Sequence, residues 1–557
     1  MDVLTAAALS FFEVATWAWL SGRSLSLRPL SQLNLIRLLL HFVIHYVTLK
    51  FYNIVVYPRF FSPLRNLPGP RDGVPLLGQF PQILTSKSPN EPFRMWSDIW
   101  SRAPFIRFLG VGNQETLLIN TPEAHKEVFH TCYDSFKKPD FMFRWVGDIT
   151  GWGLLFSEGE EHKRQRRLLQ GLFTVRNLRR IFPVFSDKAE GFAQNLEDSM
   201  DEQGRATIDV ASAYLMSRLN VTSVTIMGLE LDQLGARDPD WDFVSCYRRI
   251  FHPERIAGML ILINAMIPIR RLLPVKAFSE HTRSMAEARG IVTECVRQRI
   301  RDVERAAEKG ETFQSTIGSG CSDLLTMLVE ENQRRRPGSV DQLAEQELVD
   351  QTLTFVVGSH ATTNSALVWA SYILARSSRI QDKLRAEILD AKARKGCETL
   401  QWEDIDRLSY LNNFVREILR IYTPTVTSYR ESITDLTLCG TFVPKGTLFY
   451  FAMNVASCSK AIWGDDAELC VPERWDNLNV EASDPYAFQT FSQGPRICIG
   501  KTFAMMNIKT FLVEMVQRFR FVQSPQMEGW GEQAPELQCP TFTYVPKGRL
   551  EVVFERI

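Results

Sequence analysis

A cysteine near the carboxyl end of the chain stands in a setting that suits a metal ligand. Cys498 lies in the segment Phe491-Ser-Gln-Gly-Pro-Arg-Ile-Cys-Ile-Gly500, with one glycine before it and one after it. A thiolate that binds iron needs backbone N–H donors close to the sulfur, and glycines allow that approach because they carry no Cβ. The spacing therefore predicts that Cys498 is a thiolate ligand to iron.

The other cysteines give no comparable signal. They are scattered without a CxxC pair or a repeated spacing, which argues against a zinc module and against a disulfide framework. A lone cysteine is most often a small buried hydrophobic residue, and we interpret these cysteines in that way. A reducing compartment is expected for the part of the chain that carries Cys498.

The segment from Phe491 to Gly500 resembles the haem-binding signature of the cytochrome P450 family, FxxGxRxCxG, at every fixed position. Further motifs follow in the family's order, and the resemblance covers roughly residues 67 to 557. It implies that haem b, iron protoporphyrin IX, is the cofactor and that Cys498 is its axial ligand. It also implies that Arg496 pairs with a haem propionate and that Phe491 packs beside the ring.

Glu417 and Arg420 lie three residues apart on one face of a helix expected from about residue 407 to residue 421. Taken alone, they are an ordinary surface charge pair. The spacing resembles the family's ExxR motif, and Pro472-Glu-Arg-Trp475 resembles the region that supplies its third member. The resemblance implies that Glu417, Arg420 and Arg474 form a buried network that holds the cysteine loop. Such a network is stable only if all three charges are paired.

His162 and Arg166 are one helical turn apart, so both side chains can reach one partner. A solvated basic face is the alternative interpretation. The resemblance makes both residues propionate ligands, and Arg430 matches another propionate arginine of the family. Three further basic side chains of the same helix would then face outward and offer a docking patch to an acidic reductase: Lys163, Arg164 and Arg167.

A second motif lies in a long apolar stretch, where Gly358-Ser-His-Ala-Thr-Thr363 resembles the family's (A/G)Gx(D/E)T(T/S). A glycine and a threonine hydroxyl at these positions would leave room for oxygen and a path for protons, and Thr362 is the matching alcohol. Two positions depart from the pattern, because Ser359 replaces a glycine and Ala361 replaces the acid. Protons could then arrive through Ser359, His360 or ordered water. Alternatively, Thr362 and Thr363 only bond back to helix carbonyls.

The elements that position these residues follow from local patterns. Ser339 with Gln342 is a capping-box pattern, and few helix breakers follow, so one helix is expected from Val340 to about Ala375. At 1.5 Å per residue it would be about 50 Å long and would cross the core. Turns at Gly440, 444–446 and 546–548 separate short alternating stretches, which indicates small antiparallel sheets. The expected fold class is mainly α with small antiparallel β-sheets, built on a long central helix.

The first 66 residues differ from the rest. Two apolar stretches, 4–20 and 33–57, are interrupted by charged or imidazole side chains and are separated by Arg23 and Arg28. Two crossings would place those arginines in a lumenal loop, so we expect one membrane span and one interfacial helix. A cleaved signal peptide and a buried core helix are the alternatives.

The Pro/Gly cluster from Leu67 to Gly78 would form a stiff hinge before the globular part. We therefore expect a membrane anchor and hinge in 1–66 and a haem-thiolate domain in 67–557.

Charge and composition give little direct information on partners. Lys plus Arg equals Asp plus Glu, at 64 each, so the total charge does not indicate a nucleic-acid partner. An aromatic-rich stretch, Phe141 to Trp152, and an apolar segment, Ile256 to Leu273, correspond in the family to the pocket lid and to a loop that enters the membrane. Both suit an apolar substrate that arrives from lipid, and core packing explains them equally well.

The sequence therefore predicts a monooxygenase that inserts one oxygen atom from O2 into a hydrophobic molecule, with electrons from an NADPH-cytochrome reductase. The overall sequence, including its long two-part amino-terminal segment, resembles microsomal fungal members of the family that act on terpenoids or polyketides of secondary metabolism. The resemblance implies an endoplasmic-reticulum membrane location with the catalytic domain in the cytosol. Two alternatives stay open, a reductase-independent haem-thiolate isomerase or dehydratase, which Ala361 favours, and a non-catalytic membrane haem carrier or sensor.

Overall fold

The structure is a computed structural model of the 557-residue chain. It describes residues 2–20, 32–234, 241–251, 253, 255–266, 275–311, 313, 322–336, 338–339, 341–531, 535–539 and 543–557. The longer α-helices are α1 (Asp2–Leu20), α2 (Gln32–Phe51), α3 (Glu91–Ile99), α4 (Gly159–Leu169), α5 (Phe182–Asp198), α6 (Val210–Thr222), α7 (Phe243–Phe251), α8 (Arg255–Met266), α9 (Lys276–Glu308), α10 (Leu324–Gln333), α11 (Glu345–Arg376), α12 (Ser378–Lys395), α13 (Ser409–Ile421) and α14 (Lys501–Arg518).

Within the described ranges, the strands are short and form four small sheets. They are β1 (Phe105–Leu109), β2 (Glu115–Ile119), β3 (Phe136–Lys137), β4 (Arg205–Asp209), β5 (Thr427–Ser432), β6 (Leu436–Leu438), β7 (Thr441–Val443), β8 (Leu448–Ala452), β9 (Phe519–Gln523), β10 (Leu537–Gln538), β11 (Val545–Pro546) and β12 (Glu551–Arg556). The largest sheet has the order β1-β2-β8-β5-β3, and β2–β8 is its parallel pair. The mainly α class with small, largely antiparallel sheets is confirmed.

The central helix α11 is 32 residues long, which corresponds to about 48 Å at 1.5 Å per residue. Most of its side chains are buried, and it packs against α6, α9, α13 and α14. Because α11 crosses the interior, it can place side chains deep inside the protein. The sequence prediction placed its start five residues too early. Ser339 and Gln342 form a turn, and the helix begins at Glu345, where the Glu347 carboxylate accepts the Ala344 N–H at 2.8 Å.

The amino-terminal helices α1 and α2 pack against each other, and α2 continues as a π-helical segment to Phe61. Glu13 of α1 bonds to two histidines of α2, with Oε2 2.9 Å from His41 Nδ1 and 2.9 Å from His45 Nε2. The side chains that interrupt the two apolar stretches therefore meet each other. Arg23 and Arg28 lie outside the described residues.

The end of this segment contacts the globular part directly. Asn113 Nδ2 donates to the Ile54 carbonyl at 2.8 Å, and Arg107 Nη2 donates to the Pro58 carbonyl at 2.7 Å. Beyond it, Arg107 N–H donates to the Pro68 carbonyl at 2.8 Å, and a Cβ on Gly69 would lie 1.8 Å from the Arg107 carbonyl oxygen. The Pro/Gly stretch therefore lies against strand β1 and is held there by backbone contacts.

Candidate active site

The cysteine loop is held by backbone bonds and by a close backbone approach that favours glycine at position 494. The Cys498 N–H donates to the Phe491 carbonyl at 2.8 Å, which closes the loop. Gly494 has φ +70°, and a Cβ there would lie 2.2 Å from the Phe129 carbonyl oxygen. Phe491 is half-buried against the main hydrophobic core. Helix α14 begins at Lys501, so its amino-terminal N–H groups lie next to the cysteine.

Cys498 lies deep in the protein and is nevertheless accessible. Burial raises the pKa of its thiol, while the Gly500 N–H and the charges of Arg166 and Lys501 oppose that rise. Yet the residue is exposed to solvent. Both observations hold if the sulfur faces an internal space rather than the outer surface. A coordinated metal ion would supply the positive charge that a thiolate in such a place requires.

The middle of α11 has a second accessible place within the core. Gly358 is exposed and Thr362 is half-exposed, although most of the helix around them is buried. A Cβ on Gly358 would meet no atom within 4 Å. An open space therefore borders one turn of the central helix, as a site for a bound cofactor and a small reactant requires.

The predicted propionate ligands are brought together from three parts of the chain. Arg166 Nη1 donates to the Ile497 carbonyl at 2.9 Å, next to the cysteine, and Arg496 Nη1 donates to the Ser157 carbonyl at 2.8 Å. Arg430, on β5, lies with its guanidinium 4.9 Å from the Phe129 ring centroid. We call His162, Arg166, Arg430 and Arg496 the cationic cluster.

The cationic cluster carries more positive charge than its surroundings neutralise. Burial, together with the charges of Arg496, Lys138, Arg166 and Arg430, lowers the pKa of His162 to about 3, so the three arginines carry the charge of the cluster at neutral pH and His162 is neutral. Burial lowers the pKa of Arg430 to about 10, and it lowers that of Arg496 as well. Groups that repel each other in this way are stabilised by a bound anion. The two carboxylates of haem would supply negative charge to the cluster, and the Cys498 thiolate would supply a ligand to its iron, so the residues present fit haem.

Two residues of this region were missed by the sequence analysis. Lys138 donates from its backbone N–H to Glu158 Oε1 at 3.1 Å, and Arg496 forms an ion pair with the same carboxylate. Lys138 follows strand β3 and Glu158 precedes helix α4, so neither belongs to a motif that the sequence analysis considered. A lysine next to proline gives no local signal of burial, and only the fold places it beside Arg496.

The predicted charge network is complete in the structure. Glu417 and Arg420 have no exposed side-chain surface, and two bonds of 2.9 Å and 2.7 Å join them. Arg474 Nε donates to the same carboxylate at 3.2 Å, and Trp475 Nε1 donates to it at 3.0 Å. The remaining N–H groups of Arg420 donate to backbone carbonyls, two of them at 2.7 Å and 2.6 Å. The network joins α13 to the segment that precedes the cysteine loop.

The polar residues of the α11 motif point to different neighbours. Thr362 Oγ1 donates to the Gly358 carbonyl at 2.8 Å, which is the back-bonded arrangement. The Ser359 hydroxyl lies 3.1 Å from Thr222 Oγ1 of α6. The buried His360 is fixed by Tyr247 Oη, 2.7 Å from Nδ1, and by the Leu215 carbonyl, 3.0 Å from Nε2. Both ring nitrogens of His360 are therefore used to join helices, whereas Ser359 has a hydroxyl neighbour.

The proposed lid region is aromatic and partly exposed. Phe143 and Trp152 stack with their ring centroids 4.2 Å apart, and Trp152 is 61% exposed. Arg144 Nε donates to the Ala265 carbonyl at 2.8 Å, which ties this stretch to α8. The predicted apolar segment is helical up to Met266, and the part from 267 to 273 lies outside the described residues.

The basic face of α4 is less positive than the sequence indicates. Lys163 pairs with Glu160 at 2.9 Å, and Arg164 pairs with Glu161 at 2.7 Å and with Glu347 of α11. Arg167 is exposed. Two of the three basic side chains that were expected to face outward are therefore engaged in ion pairs within the protein.

One helix among the described residues is long and apolar enough to cross a membrane, by length and composition. It covers Ile36–Phe61, 26 residues, and the shorter apolar helix Val3–Thr16 precedes it. One long and one short apolar helix are consistent with the expected single span.

Comparisons with known proteins agree with these observations. The sequence profile of the family described as Cytochrome P450 matches residues 67–542. The cytochrome P450 monooxygenase FUM15 of Gibberella moniliformis is 30% identical over 528 residues, which cover 84% of this chain and 85% of the relative. The cytochrome P450 monooxygenase sphH of Aspergillus fumigatus is 27% identical over 486 residues (85% and 86%). The cytochrome P450 monooxygenase 205 of Postia placenta is 27% identical over 504 residues (86% and 90%).

Proposed function

Because this chain belongs to the cytochrome P450 family and is one of its monooxygenases, we propose that it inserts one oxygen atom into a hydrophobic molecule of fungal secondary metabolism. A terpenoid or polyketide intermediate is the proposed substrate, and an NADPH-dependent flavin reductase is the proposed electron donor. The observation that carries the proposal is the exposed Cys498 beside a cationic cluster whose ion pairs, among the described residues, involve one carboxylate, that of Glu158.

Each site residue has a role in this proposal. Cys498 is the metal ligand, and its loop donates N–H groups toward the sulfur. His162, Arg166, Arg430 and Arg496 bind the propionates, and Phe491 packs beside the ring. When bound, haem supplies the activation of O2.

The remaining roles concern position and protons. Glu417, Arg420 and Arg474 hold the segment that precedes the cysteine loop, so they act through that loop and not on substrate. Thr362 is the proposed catalytic alcohol, since it lies at the accessible turn of α11 and can hold a proton or a water molecule there. In the absence of an acid at 361, the hydroxyl pair of Ser359 and Thr222 is the proposed proton route.

The membrane arrangement is also a proposal. Residues 1–66 would be the anchor and hinge, and residues 67–557 would be the catalytic domain on the cytosolic face of the endoplasmic reticulum. The apolar helix Ile36–Phe61 supports this division. An apolar substrate dissolved in lipid would then reach the aromatic lid without crossing water.

The test of ligation is the carbon monoxide difference spectrum of the dithionite-reduced, detergent-solubilised protein. We expect a Soret band at the position of thiolate-ligated haem, and we expect Cys498→Ala to lose it. The half-buried Cys295 of α9 provides a matched control, since Cys295→Ala removes a thiol elsewhere and should keep the band. A preserved thiolate band in Cys498→Ala would sink the assignment.

The reaction type is tested by measuring product formation with and without NADPH and the reductase. Product formation should require both NADPH and the reductase. Turnover of a peroxide or alcohol without either would favour the alternative of a reductase-independent isomerase or dehydratase, which the alanine at 361 supports.

A further inference from the structure

The two amino-terminal helices meet at three side chains of the kinds that bind metal ions. Glu13 lies on α1, and His41 and His45 lie one helical turn apart on α2. Glu13 Oε2 is 2.9 Å from His41 Nδ1 and 2.9 Å from His45 Nε2. One ligand atom from each side chain lies within 4.8 Å of the other two. We call Glu13, His41 and His45 the amino-terminal cluster.

The packing of the two helices brings these side chains together. Ala6 and Ser10 are buried, and they lie on the same face of α1 as Glu13, since they precede it by about two turns and one turn. Ser10 Oγ donates to the Ala6 carbonyl at 2.6 Å, so its hydroxyl is satisfied within α1. Small side chains allow two helices to approach closely. This face of α1 therefore packs against α2 and carries Glu13 to the two histidines.

The surroundings of the amino-terminal cluster make a bound cation favourable. His41 and His45 lie near the beginning of the apolar helix Ile36–Phe61. A carboxylate between apolar helices is unfavourable unless hydrogen bonds or a positive charge accompany it. Neutral imidazoles supply the hydrogen bonds and no charge. A divalent cation between the three ligand atoms would supply the charge and would use both imidazoles as ligands.

The geometry suits a zinc ion. Zinc binds imidazole nitrogen and carboxylate oxygen at about 2.0–2.2 Å, so that neighbouring ligands of a tetrahedral site are about 3.3–3.5 Å apart. The separations of 2.9 Å are shorter by about half an ångström, which small side-chain rotations can supply. Glu13 is 47% exposed, His41 43% and His45 22%. An ion can therefore enter the cluster, and a water molecule can take the fourth position.

We propose that Glu13, His41 and His45 form a zinc site that joins α1 to α2. The inference is independent of the proposed function, because none of these residues belongs to the haem site and no step of the reaction involves them. Bound zinc would hold the two amino-terminal helices in one register, since its ligands come from both.

The first measurement is the zinc content of the purified full-length protein in detergent, without a histidine tag, because such a tag would itself bind zinc. After dialysis at a fixed free Zn²⁺ concentration, elemental mass spectrometry should find one zinc ion per chain. Glu13→Gln, His41→Gln and His45→Gln should each weaken binding by at least about tenfold, since the loss of even an outer partner of a metal ligand has that effect.

An exposed histidine of the globular part provides the matched control. His130 Nδ1 lies 2.6 Å from Tyr486 Oη, and the residue is remote in sequence from the amino-terminal helices. His130→Gln should therefore bind as much zinc as the parent. A parent that binds no zinc, or a triple variant of the cluster that binds as much as the parent, would overturn the inference.

The second measurement uses the parent alone, so it does not depend on the folding of any variant. X-ray absorption at the zinc edge should show nitrogen and oxygen ligands at about 2.0–2.2 Å, with the outer scattering of imidazole rings. Sulfur ligands at about 2.3 Å would place the ion at cysteines instead and would refute the site.

Discussion

At the scale of single residues, the site differs from its family most clearly at Ala361, where an acid is usual. Two side chains could take the place of this acid, His360 and Ser359, and they differ in their hydrogen-bond partners. His360 has both ring nitrogens engaged, and because a carbonyl can only accept, the proton sits on Nε2 toward Leu215 while Nδ1 accepts from Tyr247 in the neutral ring. Ser359, in contrast, lies beside a second hydroxyl, that of Thr222, one turn before Thr362.

A first prediction concerns this difference. Ser359→Ala should lower the amount of product formed per NADPH about tenfold, because the hydroxyl relay is lost. Ala361→Glu should raise that ratio, since a carboxyl group would then stand beside Thr362. Both are measured with the reductase present, as product against NADPH consumed.

His360→Asn is the comparison for these variants. It should leave the ratio unchanged and lower thermal stability, because it disturbs the bonds from α11 to α7 and α6. An unchanged ratio in Ser359→Ala would show that another relay, such as ordered water, delivers the protons.

At the scale of elements, a buried charge network joins helix α13 to the segment that precedes the cysteine loop. Glu417 on α13 binds Arg420, Arg474 and Trp475, and Arg474 also reaches Asp466 at 2.9 Å. Burying these groups is unfavourable unless every charge is paired, so the network stabilises one arrangement of α13 and the 472–476 segment.

The second prediction follows from this need to pair every buried charge. Glu417→Gln should lower the free energy of unfolding by about 3–5 kcal/mol, because it leaves the fully buried Arg420 without its anion. Denaturant unfolding and haem content after purification measure the effect.

Glu473→Gln is the control, since this neighbouring glutamate pairs with the exposed Arg379 and Lys383. Glu473→Gln should lower the free energy of unfolding by about 1 kcal/mol or less, as expected when a surface ion pair is lost. Equal losses in the two variants would contradict a special role for Glu417.

At the scale of the whole molecule, the amino-terminal helices are joined to the catalytic part by specific bonds. The carbonyls of Ile54 and Pro58 accept from Asn113 and Arg107, so residues 52–61 are part of the folded unit as well as of the apolar helix. This arrangement fixes the direction in which the helix leaves the globular part.

The third prediction uses two truncations. A chain that starts at Tyr52 and one that starts at Leu67 should both lose firm membrane retention and keep the thiolate spectrum. The shorter chain should also be less stable, by about 1–3 kcal/mol for each acceptor removed from a buried donor. Sedimentation with membranes and thermal unfolding distinguish the two, and equal stability would show that the bonds from Asn113 and Arg107 contribute nothing.

The amino-acid sequence by itself determined the features that local spacing encodes. A cysteine loop, an i,i+3 charge pair, a helical run and a turn each depend on residues within a few positions. The loop around Cys498, the pair of Glu417 with Arg420 and the helix near Thr362 could therefore be predicted. The start of that helix was misplaced, because the capping pattern at Ser339 competes with a turn whose local signals are similar.

Only the tertiary structure decided which distant side chains share one place. Lys138 and Arg496 meet at Glu158, His360 binds the carbonyl of Leu215, and Glu13 meets two histidines of the next helix. Nothing within a few residues of Lys138 or Glu13 signals its partner, since the encounter is produced by the packing of whole helices and strands. Local sequence therefore predicts the motifs that lie within a few residues of one another, whereas the tertiary structure determines which buried charges are paired.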